Sequence, residues 1–345
     1  MKLKIIIPIS VLAAIIIALG ITVLVFFSQS PVLIITDELF TTLYGEERAD
    51  WQQFYAALSL FRPVKTVLVA DGVGPDILVI TLGETEENPY CVIFPRGYLT
   101  AAERYHMEFP EIPVIFLNGN TPISSLPISD DNFFIYNTDM ESDMYRAGLI
   151  AGILTGLNIN PGSEKTDKEK TDKEKTDIEK TDINENSDAA GEITKKKIVV
   201  LGYNRSVQSS MRNIFSRGLQ EKNPESTVVF ANSSTQIPTI DISCMVFAGA
   251  CYDYLEKNPK IPLILFTWLD PVYTSNEAAV IFDDSPWALL VPAVRLAEKK
   301  ETEKNISSNI LTFSEKIADN EVIRKIKEAE NAVFDEMFFQ ELLTN

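Results

Sequence analysis

The stretch FFIYNTDMESDMYRAGLIAGILTG (residues 133–156) decides the fold class, because an apolar run passes directly into a helical pattern. The run is apolar on both of its faces, as in a strand that is covered on both sides. In the helical part, the small residues Ala147, Gly148, Ala151 and Gly152 recur on one face. A strand followed by a helix with a small-residue face predicts an α/β unit in which helices approach each other closely.

The same order of strand and helix recurs along the chain. After the run KIVVLG (197–202), a second helical stripe contains Met211, Ile214, Phe215, Gly218 and Leu219. Further apolar runs predict strands at 31–36, 66–70, 77–82, 90–94, 114–117, 227–231, 244–248, 262–266 and 278–282. Doubly apolar strands that alternate with helices are typical of parallel sheets. The sequence therefore predicts two successive α/β lobes, each a Rossmann-like three-layer sandwich.

The composition is that of a folded acidic protein with few residues for metal or nucleophilic chemistry. Of the 345 residues 46% are hydrophobic, and 49 Asp plus Glu against 31 Lys plus Arg give a net charge of −18. Such a surface repels phosphate backbones, which argues against a nucleic-acid partner. A single histidine, His106, and three cysteines disfavour a multi-histidine metal centre and a histidine-based triad. We predict a protein that is not an enzyme and that binds no metal or cofactor.

The chain begins with a basic end and an uncharged apolar run from Ile5 to Phe27. As a helix this run is roughly 34 Å long, enough to cross a hydrocarbon core of about 30 Å. The two preceding lysines favour the cytoplasmic side, which places the body on the extracytoplasmic, periplasmic side of the cell membrane. A cleaved signal peptide is the alternative, although Pro31 hinders cleavage there. Residues 1–28 are therefore predicted to be an uncleaved, single-pass signal anchor.

The predicted domain boundaries follow the two α/β halves. Residues 29–138 form an N-terminal lobe, and residues 139–163 with 193–277 form a C-terminal lobe. Residues 278–345 are predicted to return to the N-terminal lobe and to end in an amphipathic helix over 320–339. Residues 164–192 repeat the motif EKTD and are too polar to bury a core. We expect a disordered charged insertion on the side of its lobe opposite the cleft.

Two blocks of sequence carry a family resemblance. Residues 133–156 and 195–224 (KKKIVVLGYNRSVQSSMRNIFSRGLQEKNP) contain Glu141, Tyr145, Ala147, Gly148, Gly202, Phe215, Gly218 and Pro224 in family-like order. Together with Thr36-Asp37 after the first strand, they resemble the type 1 periplasmic binding proteins. The branch that they resemble most is the basic membrane protein family, nucleoside-binding lipoproteins that serve ABC transporters. The resemblance spans residues 31–297 outside the insertion.

The resemblance implies a solute-binding role with specific departures from the family pattern. It implies that a small polar ligand, nucleoside- or sugar-like, is captured between two lobes and passed to an ABC transporter permease. Gln52 stands where the family has Asn, Asn118 where it has Asp, and Met211 where it has Phe. The implied fold is therefore better matched than the implied nucleoside contacts.

Candidate ligand-binding residues lie where the predicted strands end. Ligands of open parallel sheets bind outside the carboxyl ends of the strands, which in two facing lobes border one cleft. Carboxylates and amides bond hydroxyl groups, aromatic rings stack, and arginine grips anions. With two positions taken from the family pattern, the candidates are Asp37, Trp51, Gln52, Arg96, Asn118, Asn137, Asp139, Tyr203, Arg205, Trp268, Asp270 and Asp283. As alternatives, Trp51 suits a helix core stripe and Asp283 suits a helix start.

Three classes of function follow, of which solute capture for an ABC-type importer is the leading one. The alternative is an envelope sensor or interaction protein that kept the fold but lost the pocket, which a cleft plugged by Tyr203 or Trp268 would favour. An envelope enzyme is the third class. The sequence leaves open whether Cys244 and Cys251 are paired or are buried thiols.

Overall fold

A computed structural model describes residues 3–38, 41–42, 45–86, 88–119, 131–156, 197–205, 207–238, 242–248, 261–266, 279–312, 317 and 320–329. Its helices are α1 (Leu3–Ser28), α2 (Glu46–Leu60), α3 (Pro75–Thr85), α4 (Leu99–Glu108), α5 (Met140–Gly156), α6 (Ser209–Lys222) and α7 (Pro286–Glu298). Its strands are β1 (Val32–Asp37), β2 (Val64–Val69), β3 (Cys91–Pro95), β4 (Val114–Gly119), β5 (Phe133–Thr138), β6 (Ile198–Tyr203), β7 (Thr227–Ala231), β8 (Ile242–Ala248), β9 (Leu263–Phe266), β10 (Val280–Asp283), β11 (Glu303–Ile306) and β12 (Asn309–Thr312).

The first lobe is built on a parallel sheet in the order β11-β5-β4-β3-β1-β2. Along β1, Val32 and Ile34 face one apolar core, whereas Leu33 and Ile35 face another. Helices α2 and α7 contribute to the first of these cores, and α3 and α4 contribute to the second. Burial on both faces is the reason that the strand runs are continuously apolar rather than alternating.

The second lobe repeats this plan in the order β12-β10-β9-β8-β6-β7, with only β12 antiparallel to its neighbour. One face of the sheet is covered by α5, by α6 and by residues 320–329, which place Val322 and Ile326 in the core. Two α/β lobes, one around a parallel sheet and one around a sheet that is parallel except for β12, confirm the predicted fold class.

Over the described residues the chain passes between the lobes three times, and the domain boundaries differ from the prediction. It leaves the first lobe after β5, returns after β10, and leaves it again between β11 and β12. Because β10 pairs with β9, the return follows Asp283 rather than residue 278. Because β12 pairs with β10, and residues 320–329 pack on the second lobe, only part of 278–345 belongs to the first lobe.

One predicted strand is a helix. The apolar run at 77–82 lies in α3, where Leu78, Val79 and Leu82 are buried at helical spacing. Ile77 and Ile80 belong to the same run but are exposed. Because they are also apolar, the helical spacing of the buried residues cannot be recognised in the sequence. Gly74 and Pro75 precede the run, and proline favours the first position of a helix.

Helix α1 covers the predicted anchor, and its side chains are described from Ile16 onward. Within the residues that the structure describes, no helix is long and apolar enough to cross a membrane.

The predicted insertion, 164–192, lies outside the described residues, but both of its flanks are described. The Lys197 ammonium donates a hydrogen bond to the Thr155 carbonyl oxygen over 2.6 Å. This bond brings the end of α5 beside the start of β6, at the amino end of the second sheet. The predicted helix beyond residue 329 also lies outside the described residues.

Candidate functional site

The carboxyl ends of the first-lobe strands border a cavity of about 150 Å³. It lies where β1, β3, β4 and β5 end, and the returning chain at the start of α7 forms another wall. Its lining residues are Thr36, Asp37, Pro95, Arg96, Leu117, Gly119, Thr138, Asp284, Ser285, Pro286 and Leu289. The position is the one that open parallel sheets use for ligands.

Asp37 ends β1 and contributes a half-buried carboxylate to the cavity. The Tyr98 hydroxyl donates to Asp37 Oδ2 over 3.3 Å. Burial, and next the charge of Asp37, raise the pKa of Tyr98 to about 12, so the phenol stays a donor at neutral pH. The predicted candidate Asp37 is therefore a positioned hydrogen-bond acceptor.

Arg96 follows β3 and lies along the cavity wall. Its Cδ comes so close to Gly119, at the end of β4, that a Cβ on that glycine would be 3.4 Å away. Gly119 also has φ +67°, a left-handed conformation that favours glycine. The exposed residue Arg96 supplies positive charge to a cavity that Asp37 and Asp284 also line.

Asn118 and Asn137 are neighbours on β4 and β5. Asn118 Nδ2 donates to Asn137 Oδ1 over 2.8 Å, and Asn118 is only 4% exposed. Their mutual bond occupies one donor and one acceptor, and neither residue lines the cavity. The pair orders the strand ends beneath it.

The returning segment adds a second carboxylate. Asp284 lines the cavity, and its Oδ2 accepts a hydrogen bond of 2.9 Å from the Thr138 hydroxyl at the end of β5. The candidate Asp283 is fully buried instead, and its Oδ1 accepts the Ser285 amide over 2.9 Å. This turn directs Asp283 into the protein and Asp284 toward the cavity.

Near the carboxyl end of β6, the second lobe contains an arginine that lies close to two aromatic rings. Arg212, in the first turn of α6, donates to the Tyr203 hydroxyl over 2.8 Å. Its guanidinium carbon lies 4.5 Å from the centre of the Tyr203 ring and 5.7 Å from that of Phe230. Arg212 Nε is buried and has no hydrogen-bond partner among the described residues. The candidate Arg205 is exposed nearby, after the end of β6.

Other candidates do not join these groups. Trp51, 65% exposed, packs edge-on against Phe54 on the outside of α2, and Gln52 lies on the same helix. Asp139 caps α5, accepting the Ser142 amide over 3.0 Å. Trp51 and Gln52 do not line the cavity. Trp268 and Asp270 lie outside the described residues.

Four residues near the site are not among the candidates predicted from the sequence. Thr138, Ser285, Arg212 and Phe230 contact the site groups or line the cavity. Thr138 carried a usable signal, since it is the last residue of a strand. Arg212 carried none, because an arginine on a helix is usually solvated.

Metal and thiol chemistry find no support in the described residues. Among them, no group of three or more His, Cys, Asp or Glu side chains is arranged to hold a metal ion. Burial raises the pKa of Cys91 and of Cys244 to about 12, which leaves both as inert thiols. Cys251, the possible partner of Cys244, lies outside the described residues.

A buried ion pair lies close to two of the interlobe passages. Arg146 Nη2 lies 2.6 Å from Asp143 Oδ1 and 2.6 Å from the Ser308 carbonyl oxygen. The Ser308 amide donates to Asp143 Oδ1 over 3.0 Å, and its hydroxyl donates to Oδ2. Burial raises the pKa of Asp143, and its two partners oppose that rise. Because Ser308 lies between β11 and β12, these bonds join two of the three interlobe passages.

The two lobes, their strand order and their three connections define the type 1 periplasmic-binding-protein fold. An ABC transporter solute-binding protein from Conexibacter woesei is similar, with a TM-score of 0.51, 11% identity and coverage of 90% of this chain and 97% of that one. A transcriptional activator of the comK gene from Bacillus halodurans has a TM-score of 0.50, 12% identity and coverage of 88% and 97%. At these identities the similarity shows the fold alone.

Sequence comparison adds no narrower class. No protein-family profile matches the chain, and no curated protein matches it. The nucleoside-binding branch therefore stays a prediction.

Proposed function

We propose that this protein is an extracytoplasmic solute-binding protein that captures a small polar ligand between its lobes for an ABC-type importer. The observation that carries the proposal is the cavity at the first-lobe strand ends, with the charged residues Asp37, Arg96 and Asp284 on its walls. Two carboxylates and a guanidinium suit a ligand with several hydroxyl groups. The proposal includes no chemical reaction.

The size of the cavity favours a sugar-like ligand over a nucleoside-like one. The cavity has a volume of about 150 Å³. Drug-sized ligands use about 300–1,000 Å³, so a nucleoside base requires additional space from the second lobe. Within the described part of the second lobe, Tyr203 and Arg212 are polar groups that could complete the site.

Lobe closure is the proposed mechanism of capture. Hinge closure moves two rigid bodies about a few connecting residues. Thr138 in the first passage bonds Asp284 in the second, and Asp143, just after the first passage, bonds Ser308 in the third. Rotation would therefore concentrate in the segments next to these bonds. Closure brings the Arg212 cluster toward the carboxylates and removes the ligand from water.

The proposed location is the outer surface of the cell membrane, with residues 1–28 as an uncleaved anchor. Its support is the uncharged run from Ile5 to Phe27 behind two lysines. A permanent anchor keeps the protein near a membrane transporter, which suits delivery over a short distance.

A thermal-shift experiment on the full chain in detergent tests solute capture. Monosaccharides, nucleosides and amino acids are screened separately, and a ligand at 100 times its Kd adds about 2.7 kcal/mol to the free energy of unfolding. We expect a monosaccharide to raise the melting temperature of the wild type and of Asp76→Asn, an exposed surface control, but not of Asp37→Asn. No shift with any of the three classes would argue against solute capture.

A further inference from the structure

An exposed apolar face runs along α2 on the outside of the first lobe. Trp51, Phe54, Tyr55, Leu58 and Phe61 are 47–65% exposed and follow the spacing of a helix surface. Among the described residues beyond α1, every exposed large apolar side chain belongs to the first lobe, and none belongs to the second. A contiguous apolar surface of this kind marks an interaction site.

The face is continuous with the end of α1. The rings of Phe26 and Phe61 meet edge to face with centroids 5.8 Å apart. A groove of about 580 Å³ between the two helices is lined by α1 side chains that include Val23 and by α2 side chains that include Phe54 and Leu58. Apolar groups of α1 and α2 therefore point into one shared space.

The link between α1 and the lobe is too short to separate them. Helix α1 ends at Ser28, and the Pro31 carbonyl oxygen already accepts the Tyr90 amide of the lobe over 2.8 Å. Arg62 holds the intervening Ser30 by a hydrogen bond of 3.1 Å to its carbonyl oxygen. At about 3.3–3.6 Å per residue, a free linker of this length reaches only about 10 Å.

We propose that the α2 face rests in the lipid–water interface beside the anchor, so that the first lobe lies on the bilayer. This inference rests on the proposed membrane anchor. Tryptophan and tyrosine combine an apolar body with a polar group and are enriched at membrane interfaces. Apolar insertion rather than charge attraction drives the docking, because a chain with net charge −18 is repelled by anionic lipids.

The docking assigns different tasks to the lobes. The bilayer holds the first lobe and its half of the cleft in one orientation. The second lobe, which exposes no large apolar side chain in its described part, stays free to close over the ligand. A solute would then be captured at a constant height above the membrane.

A site-specific fluorescence experiment tests the docking in the full chain. An environment-sensitive dye is attached at Leu58→Cys, or at Phe54→Cys as an independent second reporter, after reconstitution into phosphatidylcholine vesicles. The control is Met107→Cys on α4, which is also apolar, 74% exposed and in the first lobe. Cys251→Ser is included throughout, and Cys91 and Cys244 are buried.

We expect blue-shifted emission and strong quenching by lipids with a shallow nitroxide at positions 58 and 54, and little quenching at 107. Equal quenching at all positions in chains that float with the vesicles would overturn the docking and leave the anchor intact. Chains that fail to float would overturn both. A third outcome is a blue shift that occurs without lipid quenching and increases with the protein-to-lipid ratio. It would contradict the docking and show that the α2 face contacts a second copy of the chain instead of the bilayer. The ligand-induced thermal shift reports solute capture separately in every case.

Discussion

The two lobes share one strand order but differ in the helix that follows their first strand, which is covered by another helix in the second lobe and has an exposed outer face in the first. In the second lobe, α6 is sealed against α5 through glycines: a Cβ on Gly148 would lie 2.2 Å from the Phe215 carbonyl oxygen, and one on Gly218 would lie 2.3 Å from that of Tyr145. In the first lobe, the outer face of α2 remains open and aromatic. The same sheet topology therefore supports one closed surface and one surface available for docking.

The largest expected difference between the lobes concerns a phenylalanine on each of these helices. Phe215 is fully buried in the second-lobe core, so Phe215→Ala should lower the free energy of unfolding by about 3–5 kcal/mol. Phe54 is 55% exposed, so Phe54→Ala should change it by no more than about 0.5 kcal/mol. Urea unfolding of the two variants measures both values, and equal losses would contradict the contrast.

The close packing of α5 against α6 gives the next largest expected effect on stability. Gly148→Ala places a methyl group against backbone atoms of α6, which cannot rotate away, so we expect a loss of about 1–3 kcal/mol. Gly156→Ala, at the end of the same helix, meets nothing within 4 Å and is the matched control. Thermal unfolding compares the two variants, and an unaffected Gly148→Ala would show that the helices are not in close contact.

The cavity carboxylates provide a test in terms of binding. Asp284→Asn keeps an acceptor for Thr138 but removes the charge, so ligand binding should weaken by about 1.5–3 kcal/mol, which is roughly 10- to 100-fold in Kd. Calorimetric titration with the ligand found in the thermal screen measures the change. Asp76→Asn should bind like the wild type, and a similar loss in both variants would make the effect nonspecific.

A smaller expected difference between the lobes is the stability that each of them loses at high pH. Burial raises the pKa values of Tyr90, Tyr98, Tyr105 and Cys91 in the first lobe to about 12, whereas in the described part of the second lobe it raises that of Cys244 to about 12. A raised folded-state pKa stabilises the protein below the unfolded value of about 9–10, and that stability is lost as the pH rises toward about 12.

Melting curves between pH 8 and 11 measure this loss. Tyr105→Phe should flatten the decline, because one neutral buried phenol is removed from the titration. The exposed Tyr55→Phe is the control. A decline that is unchanged in Tyr105→Phe but reduced in Cys244→Ala would place the alkaline sensitivity in the second lobe.

Part of the cleft could be predicted from the sequence, because ligands bind at the carboxyl ends of parallel strands and the strands themselves are visible as apolar runs. Asp37 directly follows one apolar run, Arg96 follows another after Pro95, and both line the cavity. Trp51 was misplaced because an apolar residue at helical spacing is compatible with a core, a ligand and an outer surface. Arg212 was missed because its importance depends on Tyr203 and Phe230, which come together only when α6 packs beside β6 and β7.

The amino-acid pattern by itself determined the two α/β halves, since doubly apolar strands and helical stripes are local and repeat along the chain. Only the tertiary structure decided that Asp284 rather than Asp283 faces the cavity, because a turn of a few residues sets the direction of each side chain. It also decided that α6 is covered and α2 is open. Both helices have apolar stripes, and how much of each stripe a neighbouring helix covers is a property of the whole fold.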